Sequence, residues 1–192
     1  KAVYHRDDPI LTAAPPFRPT IHGMYRSMLR SAMIWNGVER GGVPDVCGVY
    51  VPPPAQRFMI VVAIRQRYPG HAKQAAVMAA QCHAGAYLGR YVVVVDDDVD
   101  ITNLNEVVWA MCTRSNPEES IDIIRRTWSG PLDPIIPRDK KGLNSRAIID
   151  ATRPFEWKDE FPAVSQIDKE THDSVAGKWK DELERLVRGY RQ

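Results

Sequence analysis

The 192-residue sequence lacks the features that mark membrane, secreted and nucleic-acid-binding proteins. It contains no apolar run long enough to span a bilayer, and its amino-terminal segment has no signal-peptide core. Its basic residues occur in pairs rather than in a stripe, and the formal net charge is only +2, which argues against a polyanionic partner. We therefore expect neither a membrane nor a nucleic acid among the partners.

Cysteine is scarce, and several catalytic signatures are missing. The three cysteines, Cys47, Cys82 and Cys112, form no CxxC pair, so we expect buried thiols in a reducing compartment, by default the cytoplasm. No GxSxG occurs, and the cysteines have no local signature of a nucleophile. No GxGxxG follows a strand, which argues against a Rossmann-type nucleotide binder.

The most informative segment that is present is YVVVVDDDVD, at Tyr91–Asp100. Its apolar half predicts a strand buried on both faces, as in a parallel sheet covered by helices. The acidic residues follow at the carboxyl end of that strand, where open α/β sheets tend to place function.

The carboxylates of this segment have two interpretations. Asp96, Asp97, Asp98 and Asp100 can hold a hard cation, because clustered carboxylates suit Mg²⁺, Mn²⁺ or Ca²⁺. Alternatively, they bind loop amides, cap the next helix and pair with an arginine such as Arg114. Adjacent side chains on an extended segment point to opposite sides, which favours the second interpretation.

Hydrophobic periodicity predicts an α/β fold, a mixed, largely parallel sheet flanked by helices. Helices are expected at residues 20–39, 71–83, 103–113, 117–126 and 169–190, and strands at 2–5, 46–51, 58–64 and 91–95. Residues 128–145 are expected to be irregular.

We expect an α/β domain over residues 1–168 and a carboxyl-terminal helix over residues 169–192. This helix has one apolar stripe, formed by Val175, Trp179, Leu183 and Leu186. Because a large exposed stripe is a liability, we expect the helix to dock on its own domain or on a partner subunit.

The sequence GHAK, at Gly70–Lys73, lies at a predicted strand-to-helix junction. Amides at a helix start can bind an anion, and Lys73 would add positive charge. The alternative is an ordinary helix start with a surface ion pair, because GHAK lacks the glycine-rich cradle of a phosphate loop.

Five motifs occur in one order that resembles the carboxyl-terminal half of the UbiD family of decarboxylases. They are GHAK, VVVVDDDVD, NEVVWA at Asn105–Ala110, TR at Thr113–Arg114 and IIDATRP at Ile148–Pro154. The resemblance implies the UbiD carboxyl-terminal-domain fold and reversible decarboxylation of an aromatic or α,β-unsaturated carboxylic acid. It also implies a homo-oligomer that uses prenylated FMN together with Mn²⁺ (or Mg²⁺) and K⁺. A flavin prenyltransferase would supply the prenylated FMN.

The same resemblance implies which site residues lie in this chain and which lie outside it. It implies that the catalytic arginine and two glutamates precede Lys1 in a longer polypeptide, so that no catalytic residue or metal ligand is expected in this chain. It implies pocket-lining roles for Val46, Tyr87, Leu88, Gly130 and Leu132.

Two positions of this chain, Ala84 and Gly130, depart from the family pattern. Ala84 stands where the family has a basic side chain that contacts the flavin phosphate, and the adjacent His83 is the candidate substitute. Gly130 stands where the family has a bulky residue, so we expect more space in the pocket. The alternatives are that His83 binds helix-terminal carbonyls and that the apolar positions pack in the core. For the chain as a whole, the alternative function is a non-catalytic assembly or dimerisation module.

Overall fold

The computed structural model describes residues 24–165 and 167–189, together with Ala2, Tyr4, Asp7 and Asp8. The helix cap predicted at Thr20 lies outside the described residues, as do two of the four positions of the strand predicted at 2–5. The described residues group into two compact units, one up to Lys158 and one from Asp159 onward. The domain boundary expected at residue 168 and the docking of the terminal helix stay predictions.

The first unit is built on a mixed sheet, as the sequence predicts, but the sheet has five strands, of which the last two along the chain were not predicted. Its strands are β1 (Val46–Tyr50), β2 (Met59–Ile64), β3 (Tyr91–Asp96), β4 (Ile121–Trp128) and β5 (Leu143–Ala151), in the spatial order β1-β2-β3-β5-β4. The three central strands are parallel to one another, and both edge strands are antiparallel to their neighbours. The predicted α/β class is therefore confirmed.

Helices cover both faces of this sheet. They are α1 (Met24–Arg40), α2 (His71–Gln81), α3 (His83–Ala86), α4 (Leu104–Arg114) and α5 (Pro117–Ser120). Successive residues of β3 alternate between two cores: Val92 and Val94 pack with α1 and α2, whereas Val93 and Val95 pack with α4. All four valines are fully buried, as the apolar run predicts.

The helix predicted at residues 117–126 is wrong beyond Ser120. The chain becomes strand β4 at Ile121, because closely spaced isoleucines favour extended backbone and β5 supplies a partner strand. The irregular segment is correspondingly shorter than predicted, since β5 already begins at Leu143.

In the second unit, the predicted terminal helix is divided into α6 (Lys169–Lys178) and α7 (Lys180–Gly189). Asp168 caps α6 by accepting a 2.8 Å hydrogen bond from the Thr171 amide. Within the described part of the chain, no helix is both long and apolar enough to cross a membrane.

The expectation that all three cysteines are buried is wrong for two of them. All three thiols are free, but Cys47 and Cys112 are exposed and only Cys82 is partly buried. Cys47 lies on the edge strand β1 with its side chain outside the core, and Cys112 lies on α4 away from the buried Val107 and Ala110.

The acidic cluster is a network neutralised by arginine. Asp96 is buried and accepts hydrogen bonds from Arg114 Nη1 at 3.0 Å and from the Arg153 amide at 2.8 Å. Arg114 also forms a two-point contact with Asp98, at 2.7 and 2.8 Å. Among the described residues, no three His, Cys, Asp or Glu side chains converge to hold a metal ion. The predicted pairing with Arg114 is confirmed for Asp96 and Asp98. The predicted helix cap is wrong, because Asn103 and not an aspartate caps α4.

We expect Arg114→Met to lower the free energy of unfolding by about 3 kcal/mol, because it leaves a buried carboxylate without its main cation. Urea denaturation measures the change. Arg65→Met is the matched control, because Arg65 pairs with Asp97 at 2.8 Å with most of its side chain exposed, and it should cost less than about 1 kcal/mol. Equal losses in the two variants would contradict the prediction.

A second prediction concerns pH. The hydrogen bond from Arg114 holds the pKa of Asp98 below its ordinary value. The stabilisation by Asp98 is therefore complete above the unfolded-state pKa of about 3.9 and is lost as the pH falls through the lower folded-state pKa. Urea titrations of Asp98→Asn against wild type should show a difference at pH 7 that disappears at low pH. In the Arg114→Met background this pH-dependent difference should be absent, and its persistence would argue against the pair.

Candidate functional site

A cavity formed by described residues has a volume of about 300 Å³ and lies beside α1 and α3. Its wall is cationic and aromatic, and its polar members are Arg26, Arg30, Arg57, His83 and Tyr87. Arg57 precedes β2 and Tyr87 precedes β3, so the cavity lies near the amino-terminal ends of these two parallel strands. The acidic network lies at their opposite ends.

Helix α1 supplies half of the wall because of its helical spacing. Arg26, Leu29, Arg30 and Met33 recur three and four residues apart and line the cavity together. The opposite side of α1 carries buried Ser27, Ser31, Ile34 and Val38.

Two serines fix this helix to the sheet. Ser27 Oγ donates to the Val51 carbonyl, and Ser31 Oγ accepts a 3.0 Å hydrogen bond from the Val51 amide. Both backbone groups of Val51, the residue that follows β1, are thereby satisfied in the core.

Arg30 ties α1 to the chain segment that carries the other half of the wall. Its Nε and Nη2 donate to the Ala84 carbonyl at 3.1 and 2.6 Å, and Nη2 also donates to the Tyr87 carbonyl at 2.9 Å. The guanidinium carbons of Arg30 and Arg57 lie 5.5 and 5.7 Å from the centre of the Tyr87 ring. Both distances are within the range of cation–π attraction.

An aromatic group stands behind the cavity. The Trp128 ring lies 6.0 Å from the His83 ring at an interplanar angle of 17° and 6.2 Å from the Tyr87 ring. Gly130 is buried against Tyr87, and a Cβ atom at this position would lie only 2.4 Å from Tyr87 Cε2. The space that a side chain at residue 130 would occupy is therefore filled by the Tyr87 ring.

The backbone of this wall is held from the sheet by Arg146 of β5. This side chain is buried, and it donates to the carbonyls of Ala80, Gly85, Ala86 and Trp128. Its Nε donates to Thr127 Oγ1 at 2.9 Å. Burial lowers the pKa of the Arg146 guanidinium from its ordinary value.

The structure brings together only some of the residues that the resemblance implicates. His83 and Tyr87 line the cavity, and Gly130 lies directly behind Tyr87. Leu88 is buried next to Tyr87 with a φ of 69°, in the left-handed region. Val46 packs in the core on β1, and Leu132 is 69% exposed on the loop after β4.

Sequence reasoning missed the arginines of the cavity. The available signal was the amphipathic pattern of α1, in which Arg26 and Arg30 share a face with Leu29 and Met33. A face that mixes large apolar and cationic side chains is typical of neither a core nor a solvated surface.

The GHAK segment does not contribute to the cavity. His71 is buried; its Nδ1 accepts from the Arg67 amide at 3.3 Å and its Nε2 donates to the Pro44 carbonyl at 3.1 Å. Burial lowers the pKa of His71, consistent with a neutral ring. Lys73 pairs with Asp122 at 2.9 Å, so the surface-ion-pair interpretation is confirmed.

Comparison with known proteins gives the family. Residues 23–151 match the family described as the 3-octaprenyl-4-hydroxybenzoate carboxy-lyase carboxyl-terminal domain. This chain belongs to the UbiD family. An uncharacterised protein of Aeropyrum pernix is 31% identical over 185 residues, which is 92% of this chain and 36% of that protein.

Solved structures of UbiD-class enzymes are similar to this chain. The enzyme HmfF of Pelotomaculum thermopropionicum, in complex with FMN, is 28% identical, with a TM-score of 0.69 over 78% of this chain and 32% of that one. The 3,4-dihydroxybenzoic acid decarboxylase of Klebsiella pneumoniae is 27% identical, with a TM-score of 0.66 over 77% and 32%. The vanillic acid decarboxylase of Sedimentibacter hydroxybenzoicus, in its open form, is 26% identical, with a TM-score of 0.68 over 96% and 38%. The UbiD chain thus spans about a third of the length of these relatives.

We expect Gly130→Ala to reduce the free energy of unfolding by about 1–3 kcal/mol, because the new methyl group overlaps the Tyr87 ring. Gly130 has no positive φ, so its backbone angles do not require glycine. In the Tyr87→Ala background the cost should fall by more than half, which a double-mutant cycle in urea measures. Gly177→Ala, in open space on α6, is the control and should not destabilise. An unchanged cost without the Tyr87 ring would place the conflict elsewhere.

Proposed function

We propose that this chain is the cavity-bearing part of a UbiD carboxy-lyase that reversibly decarboxylates an aromatic or α,β-unsaturated carboxylic acid with prenylated FMN. The observation that carries the proposal is the cavity itself, in which two guanidinium groups lie 5.5 and 5.7 Å from the centre of the Tyr87 ring, beside apolar Leu29 and Met33. A cationic, aromatic and apolar wall complements a flat ligand with a negative charge. The cytoplasm remains the proposed location.

The substrate class is supported by the relatives. Two of the similar structures are decarboxylases of 3,4-dihydroxybenzoic acid and vanillic acid, both aromatic acids. We assign the pocket wall for such an acid to Tyr87, Gly130 and Leu88, which lie together in the structure. Val46 and Leu132 are proposed as further pocket positions, where the remainder of the longer polypeptide would bring the substrate near them.

The cavity fits the negative end of a flavin nucleotide. HmfF binds FMN, and an evolved dimeric form of that enzyme binds prenylated FMN. In this chain Ala84 leaves the family's basic position without charge, but Arg26, Arg30, Arg57 and His83 line the same cavity. The prenylated flavin would supply the chemistry of carbon–carbon bond cleavage. The residues of this chain would bind and orient the ligands and exclude water from the wall.

We assign no metal ligand to the described residues, since none of their His, Cys, Asp and Glu side chains form a group of three suited to an ion. The Mn²⁺ (or Mg²⁺) and K⁺ that accompany the flavin are proposed to bind outside this chain, together with the catalytic arginine and the two glutamates. A flavin prenyltransferase is the proposed source of the cofactor.

An assembly module is the second candidate function, and exposed apolar surface favours it. On α1, Met24, Tyr25, Met28 and Leu29 are all more than half exposed. In the second unit, Val175, Trp179 and Leu186 are similarly exposed. Surface of this kind marks sites of association, so we propose a homo-oligomer in either case.

Because we propose that the catalytic arginine and two glutamates lie outside this chain, we predict that the 192-residue chain alone releases no CO₂ from 3,4-dihydroxybenzoate, even with mature prenylated FMN. A longer polypeptide that includes the region before Lys1, co-expressed with a flavin prenyltransferase, should decarboxylate members of a panel of aromatic and unsaturated acids. Release of CO₂ and loss of the acid are measured in parallel.

The control is the same longer polypeptide produced without the prenyltransferase, which should be inactive with every acid. Turnover above background by the 192 residues alone would show that the catalytic groups lie within this chain. Inactivity of the longer, cofactor-loaded protein with the whole panel would favour the assembly module.

A further inference from the structure

The cavity contains an excess of positive charge that the described residues do not neutralise. Three arginines line it, and no described residue in its wall is acidic. Five arginines elsewhere in the described chain, Arg65, Arg67, Arg90, Arg114 and Arg153, each pair with an aspartate. The cavity arginines differ from these five, because no carboxylate lies beside them in the described wall.

The three cavity arginines are not equivalent. Arg30 uses its Nε and one Nη to bind the carbonyls of Ala84 and Tyr87, so it serves the backbone. Arg57 contacts the face of the Tyr87 ring, but its side chain makes no hydrogen bond or ion pair with a described residue, and the same is true of Arg26. Arg57 thus keeps its N–H donors available beside a ring that restrains its position.

This arrangement has an electrostatic cost that an anion would relieve. The pKa of Arg30 is lowered from its ordinary value, first by burial and then by the charge of Arg57. The two guanidinium groups near the Tyr87 ring repel each other, and a negative group bound in the cavity would attract both. A planar guanidinium also matches the two oxygens of a carboxylate or phosphate.

We propose that Arg57, assisted by Arg26, forms an oxyanion-binding site in this cavity that takes the carboxylate or the phosphate monoester of a ligand carrying a flat ring. The volume of about 300 Å³ lies at the low end for ligand sites. It fits the charged end of a ligand and the part next to that end rather than a complete flavin nucleotide. The choice of these two ligands, an acid with its carboxylate and a flavin with its phosphate, rests on the proposed function. The anion-binding site itself does not depend on catalysis.

The site can be tested by isothermal titration of the 192-residue chain with two matched probe pairs. FMN against riboflavin isolates the phosphate, and benzoate against benzamide isolates the carboxylate. We expect at least one anion to bind about tenfold or more tightly than its neutral partner, the gain expected from a charge-assisted hydrogen bond. Added salt should weaken that binding, since the site is open to solvent.

Three variants locate the binding. Arg57→Gln should weaken the preferred anion by about tenfold or more and leave its neutral partner unchanged. Arg65→Gln removes the same formal charge beyond the opposite end of β2, where Arg65 pairs with Asp97, and should bind the anion like wild type. Arg57→Lys should show intermediate affinity, because it keeps the charge but loses the planar fork.

The proposal is overturned if neither anion exceeds its neutral partner, or if Arg57→Gln binds like wild type. It is also overturned if the longer polypeptide does not bind the anion and Arg57→Gln destabilises it, because Arg57 would then pair with an internal carboxylate. No turnover is measured, so anion binding can be confirmed while decarboxylation fails, and the absence of anion binding would reject this site without rejecting the proposed function.

Discussion

The arrangement of the cavity wall depends on one buried cation, the Arg146 guanidinium. It has no carboxylate partner among the described residues and is stabilised by the carbonyl oxygens of Ala80, Gly85, Ala86 and Trp128. A buried charge is costly unless fully hydrogen-bonded, so these carbonyls must stay where the guanidinium requires them. Because they belong to α2, α3 and β4, one side chain of β5 fixes the backbone that carries His83, Tyr87 and Trp128.

Close backbone packing adds to this constraint. A Cβ atom at Gly85 would lie 1.8 Å from the Ala79 carbonyl oxygen, and one at Gly89 would lie 2.2 Å from the Gly85 carbonyl oxygen. Arg30 binds the same segment from the other side, through Ala84 and Tyr87. With an arginine on each side and no room for side chains between, the segment has few alternative conformations, which suits a wall that positions a ligand.

The sequence predicts the parts of this structure that depend on local pattern and leaves out those that depend on distant contacts. The buried strand β3 and its pairing with Arg114 follow from an apolar run and an adjacent acidic cluster. Strand β4 was missed because its residues also suit a helix, and only pairing with β5 decides between the two. The role of Arg146 has no local signature, since its acceptors lie up to 66 residues away. Gly130 illustrates a further limit: a missing side chain predicts empty space, yet Tyr87 from another segment fills it.

The two ends of the parallel strands have opposite electrostatic character. Open α/β sheets usually place function at the carboxyl ends of their strands, and the acidic cluster after β3 fits that expectation in position. At that end, however, Arg65, Arg114 and Arg153 satisfy the aspartates, and the charges are consumed in holding the loops together. At the amino-terminal ends, Arg26 and Arg57 surround a cavity without a described acidic partner. Charges paired within the chain contribute to stability, whereas an unpaired charge in a cavity is available for a ligand. In this protein the candidate site is therefore marked by unpaired arginines inside a cavity, and not by the cluster of charged residues in the sequence.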